Sequence, residues 1–446
     1  MKKISKWKNL DLRQQPKWIN NNLLSSIIDK LNSFPPLVFA EEIQNLKKYI
    51  AKVAQGEGFI LQGGDCAETF ASFDEKKIRE KLKIILQMSL ILTHGTEKNV
   101  IKIGRIAGQY AKPRTNDIEK RGGKSLPSYR GDAVNDIKFN KLARTHDCER
   151  LITAYYQSSA TLNLIRAFTS GTHAGLEKIQ NISNFNKSEF IKKYQKIVNK
   201  FSDSIRFINK IGMNTANDFE SKLTNFFTSH EALILSYEDS LTRFDKQTNK
   251  WYAHSAHMLW VGHRTNFINS SHINFLSSID NPIGMKIGPD TNLNELETLI
   301  KQLNPNNDWG RLSLICRFGE KKIKSLLPKV IKIIKKNDFK VLWMCDPMHG
   351  NTFKTVSDIK TRHFNSILKE LKLFFMICKE ENCYPGGVHF EFTEQNVTEC
   401  LGGSSNIKQQ DLNKKYESAC DPRLNNEQSI EMSFFITDLM KAINDK

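Results

Sequence analysis

The chain of 446 residues contains no apolar run approaching the roughly 18 to 20 residues that span a bilayer. Its opening stretch, MKKISKWKNLDLRQQPKWINNN, lacks the apolar segment of a signal peptide, so the sequence predicts a soluble, cytoplasmic protein. The 8 cysteines are Cys66, Cys148, Cys316, Cys345, Cys378, Cys383, Cys400 and Cys420. They are too sparse for a disulfide scaffold and form no paired C-x-x-C zinc module, so they read as reduced thiols. No G-x-G-x-x-G turn follows an apolar strand, which argues against a dinucleotide fold. No internal repeat is present.

Acidic residues are also in short supply, with 48 Asp and Glu against 66 Lys and Arg, a formal charge of +18. Clustered cations would suit nucleic acid, because they neutralise phosphates and release counterions. Here they are spread through the chain among abundant Asn and Ile, and no nucleic-acid motif accompanies them. No nucleic-acid partner is therefore expected. The most basic segment, KKIKSLLPKVIKIIKKNDFK from Lys321 to Lys340, places Leu326, Leu327, Val330, Ile331 and Ile334 on one side of a helix. A membrane-surface helix has that pattern, and so does a helix packed on a sheet. The second reading is preferred, with no membrane partner.

Eight short runs rich in branched and aromatic residues end in turn-formers or polar groups. They are GFILQGGDC, NVIKIGRIAG, EALILSYE, HMLWVGHR, NPIGMKIGP, RLSLICRFG, KVLWMCDP and GGVHFEFTE. From the third onward each is followed by enough chain for a helix, as in ELETLIKQL, KSLLPKVIKII and RHFNSILKELKLFFMIC. Near-continuous apolar strands alternating with helices predict a parallel sheet, and eight such units predict a closed (β/α)8 TIM barrel. Residues 1–56 form an N-terminal extension to a catalytic barrel at 57–446, and a helical insertion at about 115–228 separates strands 2 and 3.

Catalytic groups of such barrels occupy the C-terminal strand ends. The seventh strand breaks off as LWMCDPMHGNT, crowding Cys345, Asp346, His349, Asn351 and Thr352 at one turn. The first strand ends at Cys66, the eighth carries His389 and Glu391, and Asp421 lies beyond it. Strands seven, eight and one are contiguous in a closed ring, so Cys66, His349, Glu391 and Asp421 could converge on one divalent ion. The alternative explains each separately: Cys66 as a small core residue, His349 as a turn residue, and Glu391 and Asp421 as solvated or capping carboxylates. A second group is cationic. Arg105, Lys112, Arg114, Arg264, Lys286 and Arg317 follow or end apolar strands, an arc suited to phosphorylated anions. Surface-charge noise in a basic chain is the competing explanation.

The strings QGGDCAETF, RIAGQYAKPRT, LPSYRGDAVN, TSHEAL, NPIGMKIGP, CDPMHGNT, NVTECLGG and YESACDPRLN occur together and in order. The set, extending from the QQPKW segment to near the C-terminus, closely resembles class II (plant-type) 3-deoxy-D-arabino-heptulosonate 7-phosphate (DAHP) synthases. The resemblance implies a metal-dependent barrel enzyme of the shikimate pathway that condenses phosphoenolpyruvate with erythrose 4-phosphate, and a homo-oligomer. It makes Cys66, His349, Glu391 and Asp421 the ligands of one divalent ion, manganese first, with cobalt, zinc or iron as alternatives. It gives phosphoenolpyruvate to Arg105, His263, Arg264, Lys286 and Arg317, and erythrose 4-phosphate to Lys112, Pro113, Arg114 and Thr115. Arg105, Lys286 and His349 stand as the catalytic residues.

The family usually has Glu before Arg where this chain has WVGHRT, so His263 is a departure, and Thr115 replaces the more usual Ser. Cys420 adjoins Asp421, and a Cys66–Cys420 disulfide would remove a thiolate ligand and switch the enzyme off. Two other readings stay open: a related synthase using another aldose phosphate, and a catalytically degraded homologue with a binding or regulatory role.

Overall fold

The computed structural model describes residues 6–169, 189–210 and 225–444. Its strands, in chain order, are β1 Gly58–Gly64, β2 Asn99–Arg105, β3 Ile118–Arg121, β4 Lys124–Pro127, β5 Phe226–Glu231, β6 Thr242–Asp245 and β7 Lys250–Ala253. They continue with β8 Met258–Val261, β9 Ile283–Ile287, β10 Leu312–Cys316, β11 Leu342–Cys345, β12 Thr352–Lys354, β13 Lys360–Arg362 and β14 Pro385–Glu391.

Strands β1, β2, β5, β8, β9, β10, β11 and β14 pair in parallel in that order and close on themselves, with helices between them. This is a (β/α)8 barrel. Seven of the eight expected strands coincide with the observed ones. The third does not: it is Phe226–Glu231, FFTSHE, and EALILSYE instead supplies the strand's last residue, a turn and the short helix Leu235–Ser240. The reason is physical. FFTSHE is polar at every residue after Phe227, while Leu233, Ile234 and Leu235 are apolar because they pack under the turn.

Alternation along each strand sorts the side chains. Phe59, Leu61, Leu259, Leu314, Cys345 and Val388 face the helices, whereas Ile60, Ile101, Ile103, Met258, Trp260, Ile315 and Met344 fill the barrel interior. The helix Ala40–Ala54 from the N-terminal extension adds Leu46, Ile50 and Val53 to that interior cluster, closing the N-terminal end of the barrel. The helix Ile323–Lys336 buries Ile323, Leu327, Val330, Ile331 and Ile334 in the outer core. Each such side chain is worth about 1.5–3 kcal/mol of transfer free energy, which accounts for its apolar stripe without a membrane. No helix among the described residues is long and apolar enough to cross a membrane.

Between β2 and β5 the chain forms the β3–β4 hairpin and the helices Lys141–Arg144, Arg150–Thr169 and Glu189–Lys210. Residues 170–188 and 211–224 of that insertion lie outside the described residues. A further hairpin, β12–β13, follows the seventh barrel strand, and it stands with β3–β4 at the C-terminal rim.

Candidate active site

The same alternation that fills the barrel interior leaves one inward side chain at or just past the end of most strands. These are Arg105 on β2, Glu231 on β5, Lys286 on β9, Arg317 after β10, Asp346 after β11 and Glu391 on β14. All but the buried Asp346 and Glu391 line a cavity of about 770 Å³ at the C-terminal face. The register explains how the first and last meet. Gly64 pairs with Arg105 on one side and with Glu391 on the other. Its φ is +147°, and a Cβ there would stand 2.7 Å from the Arg105 carbonyl oxygen. With no side chain in the way, Arg105 Nη2 donates across it to Glu391 Oε1 at 3.1 Å.

His349, Glu391 and Asp421 each offer a donor atom within 4.8 Å of the others. Asp346 is fully buried and accepts from His349 Nδ1 at 2.7 Å, which fixes the tautomer and turns Nε2 toward Glu391 Oε1, 3.1 Å away. That geometry and the mixture of imidazole and carboxylate donors fit a divalent ion. Cys66 lies outside this group. Its Sγ is 3.2 Å from Ser418 Oγ, and Ser418 in turn donates to the Asp421 carbonyl at 2.5 Å, so the thiol borders the site through one hydroxyl. The Cys420 thiol beside it lowers Cys66 to about 6, despite burial and with help from Lys112.

The carboxylates are held charged by the surrounding cations. Burial opposes ionisation of Glu391, but His349, Lys112, Arg362 and Arg105 keep it well below the usual range. Lys112 Nζ lies 2.8 Å from Asp421 and 3.3 Å from Glu391, while Lys360 approaches Asp421 at 3.0 Å. A buried network supports the loop that carries Asp421. Glu399 accepts from the backbone of Glu417, Ser418 and Arg423, and Arg423 donates on to Asp65, the neighbour of Cys66, at 2.7 Å.

The cationic arc surrounds Trp260. The guanidinium of Arg105 lies 5.2 Å, and the ammonium of Lys286 6.0 Å, from the indole ring. Burial pushes Lys286 down to about 8 against the pull of Asp346, with which it pairs directly. Arg105 also donates to His389 Nε2 at 2.5 Å, and His389 Nδ1 meets Gln62 Oε1 at 2.7 Å, a neutral imidazole locked in one tautomer. Arg264 and Thr115 join the two halves of the arc, the guanidinium donating to the hydroxyl at 2.7 Å. The Lys112–Thr115 turn is anchored from the N-terminal extension, where Gln14 accepts from the Arg114 N–H at 2.8 Å. Glu68 accepts from three successive N–H groups, Ala107, Gly108 and Gln109, and fixes the turn after β2.

His263 lines the same cavity, half-buried, with Nε2 3.7 Å from Asp290. Burial, then Arg317, pushes its pKa below the ordinary histidine value. Three residues of the site escaped the sequence reading. Glu231 was hidden because its strand was placed too late. Arg362, which donates to Glu391 at 2.9 Å, and Glu399 carry no local signal, since each lies far in sequence from the group it holds.

A model of the class-II DAHP synthetase family matches residues 2–437. The chain is 43% identical over 437 residues to a phospho-2-dehydro-3-deoxyheptonate aldolase of Streptomyces coelicolor, covering 98% of this chain and 96% of the relative. It is 40% identical over 439 residues to the aldolase AroG of Mycolicibacterium smegmatis, covering 96% and 92%. An aldolase of the same name from Neurospora crassa is 41% identical over 454 aligned residues, covering 97% and 93%.

Proposed function

The chain belongs to the class-II DAHP synthetase family, and from that premise we propose that it condenses phosphoenolpyruvate with erythrose 4-phosphate and water, releasing phosphate and DAHP, in a metal-dependent reaction. The observation that carries the reading is convergence: the six cations of the arc line one strand-end cavity, and the His349, Glu391 and Asp421 group adjoins it. Two phosphorylated substrates need such an arc, and an aldehyde to be activated needs the adjoining donors.

In this reading Arg105, Arg264, Lys286 and Arg317 hold the phosphate and carboxylate of phosphoenolpyruvate, with His263 at the rim. Forked guanidiniums suit both anions, and the low dielectric of the buried pocket strengthens each contact. Lys112, Pro113, Arg114 and Thr115 hold erythrose 4-phosphate. The Arg264–Thr115 hydrogen bond links a residue of each proposed anion site, which supports an arrangement in which the nucleophilic C3 of one substrate would face the aldehyde carbon of the other.

His349, Glu391 and Asp421, with Cys66 at the border, would hold a divalent ion, manganese first. When bound, that ion supplies Lewis-acid polarisation of the aldehyde oxygen. Arg105 and Lys286 neutralise the phosphate group, which gains negative charge as water adds at C2 of phosphoenolpyruvate and the C2–O bond to phosphate breaks. His349 is kept in the competent tautomer by Asp346.

The experiment is phosphoenolpyruvate consumption measured with erythrose 4-phosphate and with competing aldose phosphates. Turnover selective for erythrose 4-phosphate supports the reading. Turnover with another aldose phosphate alone would replace it.

A further inference from the structure

Glu370, on the helix Phe364–Glu380, is fully buried behind the C-terminal rim and takes part in none of the roles above. Its Oε1 accepts from the Gly319 N–H at 2.7 Å, and its Oε2 accepts from Asn351 Nδ2, also at 2.7 Å. Gly319 stands two residues beyond Arg317 on the loop leaving β10. Asn351 stands two residues beyond His349 on the loop leaving β11.

The two loops are joined to each other as well. Asn351 Oδ1 accepts from the Glu320 N–H at 3.0 Å, and Arg317 Nη2 donates to the His349 carbonyl at 3.3 Å. Gly319 has φ +78°, and a Cβ on it would stand 2.6 Å from the Gly350 carbonyl oxygen, so the loops touch backbone to backbone. A carboxylate is costly in so dry a place, and burial pushes Glu370 up to about 8. An apolar residue would avoid that cost but leave two buried donors, one from each loop, without partners.

We propose that Glu370 is a positioning residue that clasps the loop carrying Arg317 to the loop carrying His349, so that occupation of the anion pocket and of the metal pocket favour each other. The inference rests on the reading given above, in which Arg317 holds phosphoenolpyruvate and His349 holds the ion. Because the clasp holds both loops at once, the ligand that arrives first orders the geometry the second requires. The coupling is reciprocal.

The test titrates phosphoenolpyruvate into metal-stripped and manganese-loaded full-length protein, following tryptophan fluorescence, for which Trp260 is placed within the cavity. Glu370→Gln keeps the shape but sets an amide nitrogen, which accepts nothing, against one of the two donors. It should weaken phosphoenolpyruvate binding by about 10- to 100-fold, the usual cost of removing the partner that orients a binding side chain. The factor by which manganese tightens phosphoenolpyruvate should fall toward one. Asn351→Ala cuts the same clasp at a partly buried position, where folding is less at risk, and should act in the same direction. Adding Asn351→Asp to Glu370→Gln gives the amide a carboxylate oxygen to donate to, and should recover part of the loss. If both single variants keep the wild-type affinity and manganese factor while Arg317→Ala weakens binding, the clasp is wrong and the reading stands. A lowered melting temperature with an unchanged manganese factor likewise overturns the clasp. If Arg317→Ala binds phosphoenolpyruvate as the wild type does, the reading falls and the clasp with it.

Discussion

Arg362 donates to Glu391 Oε2 at 2.9 Å, and neither side chain is exposed at all. The same guanidinium donates to Thr352 Oγ1 at 2.9 Å and to the Pro422 carbonyl, so one buried cation ties the eighth strand to both loops beside it. Breaking a buried pair from one side leaves an uncompensated charge, typically costing about 3–5 kcal/mol. Glu391 keeps Arg105 and Lys112 as partners, so Arg362→Ala should lower the unfolding free energy by no more than about that amount, measured by denaturant titration of the metal-stripped protein. An unchanged midpoint would mean that water already solvates Glu391.

Lys112 lies closer to Asp421 than to Glu391, at 2.8 against 3.3 Å, on the turn assigned to erythrose 4-phosphate. Lys112→Met should raise the KM for erythrose 4-phosphate by about 10-fold or more, the scale of a lost charge-assisted hydrogen bond, and change the affinity for phosphoenolpyruvate much less. Steady-state kinetics with each substrate varied in turn would separate the two. Equal losses for both substrates would place Lys112 in the metal pocket instead.

Glu370 also makes stability depend on pH. Burial raises its folded-state pKa to about 8, above the ordinary glutamate value of 4.5, so the folded state holds this proton more tightly than the unfolded chain. Its contribution is fully present below pH 4.5 and is lost as pH rises through about 8. The cost at full ionisation is on the order of several kcal/mol. The stability advantage of wild type over Glu370→Gln, set at acid pH by the broken hydrogen bond, should therefore shrink as pH rises above about 5 and reverse in alkaline solution, because the amide does not titrate. Parallel curves from pH 5 to 9 would contradict it.

The barrel was legible because seven of its strands pair apolar runs with polar ends, and Arg105, Lys286 and Glu391 could be singled out because they stand at the C-terminal ends of those strands. The third strand was not, since FFTSHE carries its polar residues on both faces and the apolar residues that follow belong to a turn. His349 and Asp421 were found by ring adjacency, and the structure brings them beside Glu391. Cys66, inferred by the same argument, borders that group rather than joining it. Long-range supports such as Arg362, Glu399 and Glu370 depend on which loops meet at the rim, and that is set by packing rather than by any local pattern.

In the proposed function His349, Glu391 and Asp421 serve a metal-dependent condensation in a chain that carries His263 near its anion pocket. The most direct test follows phosphoenolpyruvate consumption with erythrose 4-phosphate in metal-stripped protein, before and after manganese is added, with His349→Ala alongside. Turnover is expected only after manganese is added, with at most a small fraction of it in His349→Ala. Full turnover in the stripped protein, or in His349→Ala, would contradict it.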